Sequence, residues 1–206
     1  MSLDESAAPR PSEASPDAGL CERDFVVLNA IFLKKMATTA DIAGLSGIDE
    51  QTLSPILEQA ASAELILTTD SGHLLLASGS QAVQRHYDEK YVELRNDPAL
   101  LGWYDGFETL NRRFIAALTN WQQLHGDDLL FKALDIVEQL CTTLAELLPQ
   151  IPRYAGYQRR FEKALGAIEA GDADLLCNPR RDSAHNIWFE FHEDILCVLG
   201  RPRDTT

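Results

Sequence analysis

The run Asp41-Ile42-Ala43-Gly44-Leu45-Ser46-Gly47-Ile48-Asp49-Glu50-Gln51-Thr52-Leu53, with Ala63-Glu64-Leu65-Ile66 further on, decides the fold. Thr38 or Thr39 can cap a short helix from Ala40 to Gly44, with Asp41 favourably placed in its first turn. Gly44 to Gly47 reads as a turn. The spacing of Leu53, Ile56, Leu57 and Ala60 then predicts a helix over about Asp49–Ala63. Upstream, Phe25, Leu28, Ile31 and Phe32 define an amphipathic helix from Glu22 to about Met36. Downstream, the apolar runs Leu65–Leu67 and His73–Leu76 flank Thr-Thr-Asp-Ser-Gly and predict a two-stranded hairpin. Helical spacing resumes over Ser78–Arg95.

Helix, helix, turn, helix and two-stranded wing over Asp24–Tyr91 resembles the winged helix-turn-helix domain of bacterial transcriptional regulators, the MarR-like group being nearest. The resemblance covers about a third of the chain. It implies double-stranded DNA as a partner, with the third helix in the major groove.

The remainder reads as helices. Leu101, Tyr104, Phe107, Leu110, Phe114, Leu118 and Trp121 recur at helical spacing over Leu100–Gln122. Leu130, Leu134, Val137, Leu140, Leu144, Leu147 and Leu148 follow Asp127-Asp128 and precede Pro149. A third segment spans Tyr157–Ala170, and a last one runs from about Ser183 to Leu199, closed by Gly200 and Pro202. The expected architecture is therefore mainly α: a winged helix-turn-helix domain over 21–95, then an all-α helical bundle over 96–201. This pairing is similar to that of uncharacterised bacterial proteins. Residues 1–20, acidic and rich in proline, are expected to be a disordered tail, and 202–206 a short one. The apolar stripes of the two long helices exceed what a small winged helix can cover, which predicts a homodimer.

With 206 residues and 45% hydrophobic side chains, the chain can bury a real core. It carries 18 Lys plus Arg against 32 Asp plus Glu, a formal net charge of −14. Residues 21–90 hold five bases and ten acids, so even the DNA-reading part repels phosphate at long range. No apolar run reaches membrane-spanning length, and the N-terminus lacks a signal-peptide centre; no membrane role and a cytoplasmic location are the expectations. The four cysteines (Cys21, Cys141, Cys177, Cys197) form no CxxC pair, so neither a zinc ribbon nor a redox dithiol is written here.

On the third helix the outward positions are Gln51, Ser54, Pro55, Glu58, Gln59 and Ser62, none of them basic. Base reading would fall to Gln51, Thr52, Ser54 and Gln59, with His73 at the wing as the phosphate contact. Pro55 fits a helix that starts late, with Ser54 as its cap. Lys34 and Lys35, like Arg85 and Lys90, lie off the usual reading surface and reach DNA only if a dimer gathers them on one face.

His185, Trp188 and His192, with Ile195 and Leu199, fall on one seam of the last helix. Core histidines, polar handles of a small-molecule effector pocket, and metal ligands are the three readings. Seven residues separate the histidines, about 10.5 Å along the axis, which is long for one metal; none is expected. Arg180-Arg181, near Arg153 and Arg159-Arg160, can join that pocket and fork onto a carboxylate or phosphate, stay as solvated charge, or pair with neighbouring acids. Glu193-Asp194 reads as surface charge. Since GxSxG, Walker, GxGxxG and HExxH patterns are all missing, neither an enzyme nor a cofactor is expected. The preferred reading is a winged-helix regulator whose helical half dimerises or binds an effector. The alternative is an accessory subunit whose winged helix contacts a protein.

Overall fold

In the computed structural model, residues 19–202 are described, so the expected N-terminal tail (1–18 of it) and residues 203–206 lie outside the described residues. The chain is mainly helical, with a small antiparallel sheet of three strands.

Helix α1 (Glu22–Lys34) begins where the Cys21 sulfur accepts the Asp24 amide, and buries Phe25, Val27, Leu28, Ala30, Ile31 and Leu33. A helix apolar nearly all round belongs in an interior, and α1 touches α2, α4, α8 and the sheet. Strand β1 (Met36–Ala37) follows; two residues are too short to show an alternating pattern, and the sequence reading did not foresee it. Thr38 caps α2 (Thr39–Ser46) through a full capping box with Asp41. Left-handed Gly47 (φ 72°) ends that helix two residues later than expected.

Asp49 caps α3 (Glu50–Ser62), accepting the Thr52 amide. Contrary to the late start through Ser54, Pro55 therefore stands inside the helix. It leaves the Gln51 carbonyl without its ordinary donor. Strands β2 (Ile66–Thr69) and β3 (Gly72–Leu75) make the hairpin, and β1 adds to the far side of β3, giving the order β1-β3-β2. A side chain at Gly72 (φ 134°) would place its Cβ 2.7 Å from the Ala37 carbonyl oxygen, so β1 can approach only a glycine here. Helix α4 (Ala77–Lys90) returns across α1.

Asp97 and Pro98 open α5 (Pro98–Leu124), and His125-Gly126 turns the chain into α6 (Asp127–Leu144). Their apolar stripes meet one another and the rest of the chain. Leu100, Phe107, Phe114, Val137, Leu140 and Leu144 are each at most 2% exposed. The area on which the dimer expectation rested is thus covered within one molecule; Ile115, Leu124 and Phe131 stay exposed. After the 3-10 turn Pro152–Tyr154 come α7 (Ala155–Glu169) and α8 (Ala184–Leu199), the latter capped by Ser183 and ended by left-handed Gly200.

Helix α8 organises the molecule. It packs on α7 and also on α1 and α4. The buried side chains form one continuous cluster on both sides of residue 95. Each fully buried Leu, Ile or Phe contributes about 1.5–3 kcal/mol, so the two halves share their main source of stability. Among the described residues, no helix is long and apolar enough to cross a membrane.

Candidate functional site

The outer face of α3 is the first candidate surface. Glu50, Gln51, Thr52, Ser54, Pro55, Glu58, Gln59 and Ser62 are exposed, while Leu53, Ile56, Leu57 and Ala60 face inward as the period requires. Thr52 is partly engaged: its hydroxyl donates to Asp49 at 2.7 Å. Ser54 donates to Glu58 at 3.3 Å. Gln51 and Gln59 remain open donors and acceptors. The turn of the hairpin carries Asp70 and Ser71, both exposed.

His73, expected to meet phosphate, is turned inward. Its ring nitrogens sit 3.0 Å from the Thr68 hydroxyl and 3.3 Å from the Thr39 hydroxyl, and burial lowers its pKa. Lys34 is likewise committed, with Nζ 2.8 Å from Glu190 Oε1 of α8. Lys90 pairs with Glu22. Lys35 alone of that expected pair is exposed, its ammonium 4.7 Å from the Phe32 ring centre.

The seam of α8 packs inward. Trp188 is 3% exposed, donates to Asn111 Oδ1 at 2.9 Å and stacks on Phe114 at 4.3 Å between centroids. His192 Nε2 lies 3.1 Å from Glu108 Oε1, edge-on to Phe107. His185 is half-buried, and burial lowers its pKa. These three do not share a cavity with Arg180 and Arg181. The cavity those arginines line uses the neighbouring stripe of α8, Asn186, Phe189 and Glu190. Among the described residues, no three His, Cys, Asp or Glu side chains converge to hold a metal.

Sequence reasoning missed the most elaborate polar cluster. Asp194, read as surface charge, is 1% exposed. Its Oδ1 accepts from the Tyr87 hydroxyl at 3.0 Å, the Tyr154 hydroxyl at 3.2 Å and Arg153 Nη2; its Oδ2 accepts from Tyr157 at 3.1 Å and Asn29 at 3.4 Å. The Arg153 guanidinium lies 4.9–5.5 Å from the ring centres of Phe25, Tyr87, Tyr91 and Tyr154. Burial, reinforced by the Asp194 charge, pushes the Tyr87, Tyr154 and Tyr157 hydroxyls well above their usual range. Burial takes Tyr91 up to about 12. For Arg153 burial acts downward, but the Asp194 charge together with the Tyr87, Tyr154 and Tyr91 hydroxyls outweighs it, and the guanidinium is held charged.

One turn earlier on α8, Glu190 accepts from Arg160 Nη2 at 2.6 Å, and Arg160 also grips Asp182 with Nε at 2.9 Å. Arg160 thus pairs with acids, one of the two outcomes foreseen for the arginine pairs. Structurally both clusters are anchors joining α1, α4, α7 and α8. One signal was present in the sequence: Glu190 and Asp194 stand four apart on a helix otherwise apolar on that side. The cysteines are free; Cys21 is exposed and the others half-buried, with burial pushing Cys141 and Cys197 up to about 12.

Compared with protein-family models, curated proteins and solved structures, the chain matches none of them.

Proposed function

We propose that residues 21–95 act as a winged helix of the MarR-like kind in a transcriptional regulator, presenting α3 to duplex DNA while the helical remainder serves as effector region. The observation that carries this reading is the element order α1-β1-α2-α3-β2-β3 with sheet order β1-β3-β2. In that arrangement α3 lies on the outside, followed directly by a hairpin that can touch a neighbouring stretch of backbone. Gln51 and Gln59 are the side chains suited to base edges, where a good bidentate pair contributes about 1–3 kcal/mol of discrimination.

Such binding is weak and shallow in its salt dependence, because α3 carries no Lys or Arg and Lys34 is committed to Glu190. Each phosphate neutralised adds about −0.9 to the slope of log affinity against log salt. Titration of genomic fragments, including the region upstream of the chain's own gene, at two salt concentrations tests it. Sequence-selective binding with a shallow slope supports the reading. No binding even at low salt refutes it.

A second reading, a winged helix that contacts a protein, is favoured by one specific observation: Glu50, Glu58 and Asp70 are the only ionised groups on the exposed α3 and hairpin turn. Absence of DNA binding together with a stoichiometric protein partner on α3 would select it. Dimerisation rests on the narrower surface of Ile115, Leu124 and Phe131, and light scattering at micromolar concentration reads it directly.

A further inference from the structure

A cleft of about 400 Å³ opens between the end of α1 and the loop that precedes α8. That is the scale of a small-metabolite site. Its walls carry four bases, Lys34, Lys35, Arg180 and Arg181, against three acids, Asp41, Asp182 and Glu190. In a chain of net charge −14, a concave surface with more bases than acids concentrates anions locally.

The pairing pattern separates the bases into two kinds. All three acids are already matched: Asp182 and Glu190 by Arg160, Glu190 also by Lys34 at 2.8 Å, and Asp41 by the Thr38 hydroxyl at 2.6 Å with Lys34 at 3.7 Å. Arg181 is held by Asp172 through two bonds of 2.8 and 2.9 Å. Among the described residues, Lys35 and Arg180 have no carboxylate within ion-pair distance.

Both free cations are carried on fixed backbone. Asn186 donates to the Asn178 and Arg181 carbonyls at 3.2 and 2.7 Å, and the Arg180 amide donates to the Asn178 side chain at 2.9 Å. Lys35 adopts φ 67°, a conformation that non-glycine residues rarely keep without a reason in the surrounding structure. Arg180 thus stands on a loop whose backbone is held in place, while the Lys35 ammonium rests 4.7 Å from the Phe32 ring centre, a contact that leaves its remaining N–H groups open to an anion in the cleft.

The geometry points to a binding site for a small organic anion with at least two phosphate or carboxylate groups, held between Lys35 on one wall and Arg180 on the other. Arg180 supplies a fork matched to such oxygens, and Lys35 a point charge. The wall bearing Lys35 leads directly into β1 and the Thr38 cap of α2, so a bound anion ties the sheet end of the molecule to the loop before α8. Any effect of that anion on DNA rests on the regulatory reading above; the binding itself does not.

Calorimetric titration of the full chain at low ionic strength, with pyrophosphate and with citrate as probes and no DNA present, tests the site. Saturable one-to-one binding of at least one probe is expected; pyrophosphate alone assigns phosphate chemistry, citrate alone carboxylate chemistry. Arg180→Ala and Lys35→Ala each weaken binding at least tenfold while the circular dichroism spectrum is unchanged. Arg112→Ala, a control on α5 that does not line the cleft, binds as the parent does. If neither probe saturates, or if the Arg180→Ala protein binds both as tightly as the parent, the site is refuted.

Discussion

The Tyr87 hydroxyl of α4 donates to Asp194 Oδ1 of α8 at 3.0 Å, across 107 residues of chain. Three further elements supply the other donors to that carboxylate: Asn29 on α1, Arg153 and Tyr154 in the 3-10 turn, and Tyr157 on α7. A single side chain therefore clamps the segment bearing the winged-helix pattern to the helical remainder.

Asp194→Ala should destabilise the protein by about 3–5 kcal/mol, because it leaves a buried guanidinium without its counter-charge. Three tyrosine hydroxyls lose an acceptor at the same time. In urea unfolding, Arg153→Met combined with Asp194→Ala should cost less than the two single losses added, since no unmatched charge remains. A single-variant loss below about 1 kcal/mol would mean that water or another group replaces the carboxylate.

Acid should weaken the fold before the carboxylates titrate. Burial lowers His73, His86 and His185 from the ordinary 6.5. Their unfolded forms therefore take up protons first. Well above pH 6.5 both states are neutral and these residues impose no penalty. As pH falls from 6.5 toward each folded value, protonation favours the unfolded chain and stability drops. Urea midpoints measured across this window should decline, and His185→Gln should flatten the decline; an unchanged slope in that variant would remove His185 from the account.

Much of the N-terminal half was legible because its determinants are local. Thr38 with Asp41 forms a cap between residues three apart, and the wing turns within the five residues Thr68–Gly72. Asp49 with Thr52 is just as local, but the sequence reading gave that cap to Ser54, and it stopped α2 at Gly44 rather than before Gly47. Strand β1 was not legible, since two residues become a strand only when β3 is there to pair with them. Asp194 was misread for the same kind of reason: its donors stand between 37 and 165 positions away. Arg180 and Arg181 were picked out by their density, but the stripe of α8 expected to join them was off by one position: Asn186, Phe189 and Glu190 line the cleft, while Trp188 and His192 pack inward.

Pro55→Ala should raise stability by about 1–3 kcal/mol, by restoring the hydrogen bond to the Gln51 carbonyl and relieving the ring's crowding of it. Pro55 is exposed, so no core contact is lost. A lower thermal midpoint in the alanine variant would show that the proline, by restricting the unfolded chain, stabilises more than it strains.

The central claim is that the outer face of α3 meets DNA, and charge reversal on that face tests it most directly. Glu50 and Glu58 are both exposed there. The double variant Glu50→Lys/Glu58→Lys, with its fold verified by circular dichroism, is titrated against duplex DNA over a range of salt. The account predicts tighter binding than the parent and a log–log salt slope steeper by up to about 1.8, roughly 0.9 for each phosphate newly neutralised. Affinity and slope identical to those of the parent would contradict it.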